Sequence, residues 1–269
     1  MRPISRLRAT AGALALAAAA GAAQAATITN TDLSGASWTG FDWDSNGSAL
    51  IRGFQPVAGT AFTLEVWSWA THLKDGATNL TTPRLDTNPE GAAAYAGGYE
   101  YTLYASLQET VASCSVNTCS FNVTGGTWEV WYDTAQNAQR TTSTGFRDGT
   151  MILQGTFGPQ PTGSFTAIPG FGGFGVSAVI GQVGLTDATF ITPDLAITIA
   201  SSTLQDGGLT TNAWTAPISF DGYTPVAGDL VYQADANQSF DVPAPPVLAL
   251  LGGSLLGLAL SRRRLRPAR

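Results

Sequence analysis

Apolar and polar side chains alternate between Tyr99 and Val111. Tyr99, Tyr101, Leu103, Ala105, Leu107 and Val111 fall on one side, and Glu100, Thr102, Tyr104, Ser106, Gln108 and Thr110 on the other. A period of two sustained over about a dozen residues predicts a half-buried antiparallel strand. Shorter runs at 61–69, 120–124, 127–132, 150–155 and 195–200 predict further strands. Gly125-Gly126, between two of these runs, predicts a hairpin turn. The Gly- and Pro-rich stretch 155–175 predicts loops with short strands. Helical periodicity longer than about two turns is lacking. The pattern therefore points to an all-β fold, an antiparallel β-sandwich or jelly-roll-like domain.

The two ends break this pattern. Residues 1–25 combine Arg2, Arg6 and Arg8 with an Ala-rich apolar run and end in Ala23-Gln24-Ala25. A basic start, an apolar stretch and small residues at the exit form a secretory signal peptide, with cleavage by signal peptidase after Ala25. At the other end, Val242-Pro243-Ala244-Pro245-Pro246 precedes the apolar run 247–260 and then Arg262, Arg263 and Arg264. Prolines stop a strand ladder. The uncharged stretch from Pro243 to Ser261 approaches the length of a membrane-spanning helix, and the arginines would hold its end at the cytoplasmic side. The expected organisation is a signal peptide (1–25), an all-β extracellular domain (26–241) and a C-terminal sorting or anchor segment (242–269).

This tail resembles the PEP-CTERM sorting domain of Gram-negative bacteria, a short Val-Pro-Glu-Pro-like motif followed by an apolar helix and a basic cluster. Val242, Pro243 and Pro245 match the motif, while Ala244 stands where the family usually has Glu. The resemblance implies a transient inner-membrane anchor and processing by an exosortase. The body is similar to the flocculation-associated PEP-CTERM proteins in Phe41-Asp42-Trp43, Tyr99-Glu100-Tyr101, Thr124-Gly125-Gly126-Thr127 and Gly145-Phe146-x-Asp148-Gly149-Thr150. That branch implies a non-enzymatic exported protein of the cell surface or matrix, promoting aggregation through exopolysaccharide.

Charge sharpens the picture. Charged residues make up 12% of the chain, and the formal net charge is −6. All 19 acids lie in 26–242 beside five bases (Arg52, Lys74, Arg84, Arg140, Arg147), a net of −14 for the body. This balance argues against nucleic-acid partners, which draw on clustered Lys and Arg. One histidine and two cysteines exclude a multi-His metal site and a four-Cys zinc site.

Few residues carry candidate chemistry. Cys114 and Cys119, five positions apart behind an export signal, predict a disulfide. Asp42, Asp44 and Asn46, followed by Gly47, resemble the start of a calcium loop, but position 12 of that loop would be Gly53 instead of an acid. A polar turn is the plainer reading. Trp67 and Trp69 share a strand face and would form a sugar-stacking platform if solvent-exposed, or pack between sheets if not. For catalysis no residue is singled out. His72 has no Ser or Cys motif beside it, and no spacing marks a carboxylate pair. A secreted carbohydrate-binding module is the alternative function, and a glycan-active hydrolase a more distant one.

Overall fold

The computed structural model describes residues 26–90, 95–168, 172–192, 194–195, 199–206 and 214–241. The expected signal peptide and sorting segment, with Ala23, Ala25, Val242, Pro243, Pro245 and Arg262–Arg264, lie outside these residues.

The strands are β1 (Thr27–Thr29), β2 (Ser34–Ser37), β3 (Gly40–Trp43), β4 (Gly47–Arg52), β5 (Ala61–Asp75), β6 (Thr78–Asn79) and β7 (Glu100–Cys114). They continue with β8 (Thr118–Asp133), β9 (Thr150–Phe157), β10 (Gln160–Ile168), β11 (Gly172–Thr186), β12 (Ile191–Thr192), β13 (Ile199–Asp206) and β14 (Leu230–Asp241). The expected all-β, antiparallel domain is present. Its sheet departs from two facing layers. β3 and β4 both pair with β14 and β5, and so share one position. β9 and β10 both pair with β8 and β11, and share another. The main sheet therefore runs β3/β4, β5, β7, β8, β9/β10, β11, β13, β14 and back to β3/β4, an antiparallel ring of eight positions in chain order. Closure leaves these long strands without the open edges a sandwich would carry.

Alternation gives the ring an apolar inside. Phe41 and Trp43 of β3, Leu64 and Val66 of β5, Leu103, Ala105 and Leu107 of β7, Trp128 and Val130 of β8, Val179 of β11 and Phe240 of β14 belong to one buried cluster. Thr63, Glu65, Ser106 and Gln108, one position off, point away from it and are less buried. Glycines make room for the largest ring. A side chain on Gly155 or Gly181 would overlap the Trp128 indole, so these bare positions let it lie across the interior.

One end of the ring is plugged. β1, β2 and β12 form a separate three-stranded sheet. Ala26, Ile28, Trp38 and Ile191 join the interior cluster from it or its flanks. Polar ties fix the plug: Asn30 Nδ2 donates to the Tyr101 hydroxyl at 2.8 Å, and the Tyr99 hydroxyl donates to Asp32 Oδ2 at 2.8 Å.

Two local expectations change. Gly125-Gly126 does not reverse the chain, because β8 runs through it while pairing on both sides. Gly126 takes φ 150°, and a side chain there would collide with the Ser106 carbonyl, so the glycine serves close strand approach. The 155–175 stretch holds all of β10, the start of β11 and the end of β9, not mainly loops. Of the run predicted at 195–200, residues 196–198 lie outside those described, and Ile199 and Ala200 open β13. The hairpin reversal between β7 and β8 lies at 115–117, clamped by the disulfide Cys114–Cys119 as expected.

Candidate functional site

Trp67 and Trp69 point outward from β5, yet each is only 3% exposed. The 134–149 connection after β8 and the segment before β14 fold over them. Ala138, Phe146 and Phe220 complete a second apolar cluster with Leu50 beneath. Trp69 lies parallel to Phe146 at 6.1 Å, and Trp67 meets Phe220 at 5.0 Å. The Trp69 indole N–H donates to the Thr87 carbonyl at 3.0 Å. The sugar-stacking platform is therefore not formed. An apolar outward pair on a polar barrel wall gains more by being covered than by facing water.

Arg140 ties this cover to the barrel. Its guanidinium sits 5.2 Å from the Trp69 ring. Nη1 donates to the Asn46 carbonyl at 3.0 Å, and Nη2 to Glu90 Oε2 at 2.9 Å. Asp44 Oδ2 lies 3.8 Å from the same group. Asp42 lies in β3 and Gly47 opens β4, so only residues 44–46 form the short excursion between them, closed by Gly47 N–H donating to the Asp44 carbonyl at 3.0 Å. The three candidate ligands Asp42, Asp44 and Asn46 do not converge on one point. Asp44 faces Arg140 and Asn46, while Asp42 Oδ2 lies 3.5 Å from His72 Nδ1 on β5. Among the described residues no group of three or more His, Cys, Asp or Glu is placed to hold a metal ion. Burial raises the Asp44 carboxyl above its usual range, opposed by hydrogen bonds from Asn46 and by Arg140. His72 itself lies on β5.

Glu100 is a feature the alternation concealed. It begins β7 on the outward side, yet it is fully buried under the 134–149 connection. Oε1 accepts N–H bonds from Asn137 at 2.9 Å and Ala138 at 3.2 Å. Burial pushes its carboxyl up to about 8, with Asp133 and Asp86 adding repulsion and the two N–H bonds opposing. A third ionic node lies lower on the same wall. Arg147 forks onto Glu129, Nε to Oε2 at 2.8 Å and Nη2 to Oε1 at 3.2 Å. Arg147 also stacks 4.3 Å from the Tyr104 ring, whose hydroxyl donates to Glu65 Oε1 at 2.9 Å. Glu65 in turn holds Arg52 at 2.6 Å. These carboxylates pin connections and strands to one another, a supporting role.

Set against protein-family models, curated proteins and solved structures, the chain has no match. The likeness to PEP-CTERM proteins rests on the residues quoted above.

Sequence reading missed Glu100, Glu129 and Glu109. Only Glu109 left a signal. It falls on the same side of β7 as Leu107 and Val111, an acid at an inward position, and it is 3% exposed.

Proposed function

We propose that the chain is an exported surface or matrix protein of a Gram-negative bacterium, promoting cell aggregation through association with exopolysaccharide. Signal peptidase removes the leader after Ala25. An exosortase processes the tail near Val242, Pro243 and Pro245, with Arg262, Arg263 and Arg264 held at the cytoplasmic side of the inner membrane until then. The protein acts by binding, without catalysis.

The observation that carries export is the Cys114–Cys119 bond behind a leader of signal-peptide form. Disulfides persist in oxidising compartments. Barrel polarity supports an aqueous setting, since membrane barrels carry an apolar band outward and this one carries Thr63, Glu65, Ser106 and Gln108. The body's net charge of −14 suits association through bridging cations, because like-charged surfaces and acidic polymers repel without them.

Mass spectrometry of the chain recovered from the cell surface tests the processing. Termini at Ala26 and near Val242 are expected, and a chain still ending at Arg269 would sink the sorting step. Deleting the gene is expected to reduce aggregation and exopolysaccharide retention. Flocs that form normally without it would remove the functional reading.

A further inference from the structure

The end of the barrel opposite the plug is open to a cavity. Phe62 and Leu64 of β5, Phe121 of β8, Phe165 of β10 and Tyr232 of β14 line it. These come from around the ring, so the cavity lies on the barrel axis. Phe62 meets Phe121 at 5.2 Å and Phe165 meets Tyr232 at 5.3 Å, both contacts passing between strands that are not neighbours. Among the described lining residues, Glu109 of β7 is the one that carries charge. We propose that this mouth binds a compact, largely apolar amine, its rings or chain among the aromatics and its ammonium group against Glu109.

Three observations carry this. First, a barrel of eight strand positions encloses space for its own side chains or for one small ligand. Towards the plug that space is filled by Trp38, Phe41, Trp43, Tyr101, Trp128 and Phe240. Towards the mouth, β11 supplies only Gly173, Gly175 and Ser177 at inward positions. Second, the remaining space, about 20 Å³, is no larger than a water, but the residue narrowing it is not part of the barrel wall. Phe54 comes from the connection between β4 and β5, which is mostly exposed and has positive φ at Gly53 and Gly59. Its ring leans edge-on against Phe62 at 5.5 Å and Phe121 at 6.0 Å. Turning Phe54 outward opens the volume of a phenyl ring without moving a strand. Third, Glu109 is an acid among apolar neighbours. A carboxylate offers about four acceptor positions, so it can take a ligand N–H beside the contacts it already makes. Small apolar pockets with one oriented polar group are the usual form of specific small-molecule sites.

The test titrates the purified full chain with benzylamine and with its uncharged isostere benzyl alcohol, following the heat of binding by calorimetry at pH 7. Saturable one-to-one binding is expected, with the amine about tenfold tighter than the alcohol. Phe54→Ala lies outside the barrel wall and should tighten both at least threefold. Ser177→Phe fills the mouth and should abolish both. Glu109→Gln should erase the difference between the probes. Lack of saturation in both the parent chain and Phe54→Ala overturns the proposal. So does binding that survives Ser177→Phe, or equal affinity for amine and alcohol in the parent chain. Circular dichroism identifies a variant that fails to fold, and Phe54→Ala then decides. The proposal stands apart from export and aggregation, so neither outcome bears on the other.

Discussion

Trp128 occupies the space that a side chain on Gly155 would take. The two face each other across β8 and β9, paired in register, and the indole extends on to Gly181 of β11. Tightly packed interiors resist added volume. Gly155→Ala is therefore expected to lower stability by about 1–3 kcal/mol or more, since the methyl would meet both the ring and the Gln182 carbonyl. Trp128→Ala, which leaves a cavity instead, is expected to cost about 3–5 kcal/mol. Urea denaturation followed by circular dichroism measures both.

Glu100 makes stability fall as pH rises. Its carboxyl titrates near 8 in the folded chain and near 4.5 in the unfolded one. Between these values the folded chain holds the extra proton, so raising pH favours unfolding, and the effect levels off above about 8. Glu100→Gln keeps an oxygen for Asn137 and Ala138 without the charge. It should flatten this dependence and exceed the parent stability above pH 8, by on the order of a few kcal/mol. Urea midpoints at pH 5.5 and pH 9 provide the comparison, and a parent chain that grows more stable across that range would contradict it.

Arg147 is the forked partner of a nearly buried acid. Among the described residues, Arg147→Ala leaves Glu129 with only the Trp131 indole N–H at 3.1 Å. The expected loss is about 1–3 kcal/mol, because a covered acid on the outer wall keeps its desolvation cost when its partner goes. Glu129→Gln combined with Arg147→Ala should cost less than the sum of the two single changes, as a double-mutant cycle would show.

Arg140 is expected to hold the cover over Trp67 and Trp69. Arg140→Ala removes its contacts with Asn46, Glu90 and the Trp69 face together. Tryptophan emission should shift to the red and become accessible to iodide quenching. Unchanged emission would mean that Phe146 and Phe220 hold the cover alone.

Reducing the Cys114–Cys119 bond is expected to cost roughly 2 kcal/mol, since the closed loop is short and the entropy it removes from the unfolded chain is correspondingly small. Thermal unfolding with and without reductant measures this. The barrel should remain folded, because β7 and β8 stay paired from Glu100 to Val111 below the clamp.

Much of the wall was legible in the sequence. The inward set on β7 from Leu103 to Val111 follows the alternation, since one side of each strand meets the interior. The disulfide followed from spacing behind a leader of signal-peptide form. Ring closure was not legible, because pairing of β14 with β3 and β4 depends on partners far apart in the chain. Nor was the covering of Trp67 and Trp69, because alternation tells which side a residue takes but not what lies over that side. Gly125-Gly126 misled for a related reason. Glycine marks both reversals and close approach, and only the neighbouring strand distinguishes them.

The seam of the barrel joins its first long strands to its last. Gln233 Nε2 donates to the Ser45 carbonyl at 2.8 Å and to Asn46 Oδ1 at 3.0 Å, bridging 188 and 187 positions. No partial chain can make these bonds. A chain lengthening from its N-terminus exposes the hydrogen-bonding edge of β3 and β4 until β14 arrives, and that edge is open to pairing with other chains. Such distant contacts slow folding. The interval between the emergence of β4 and the delivery of β14 is thus the period of greatest aggregation risk, and a chaperone that holds the chain extended through it would shield that edge.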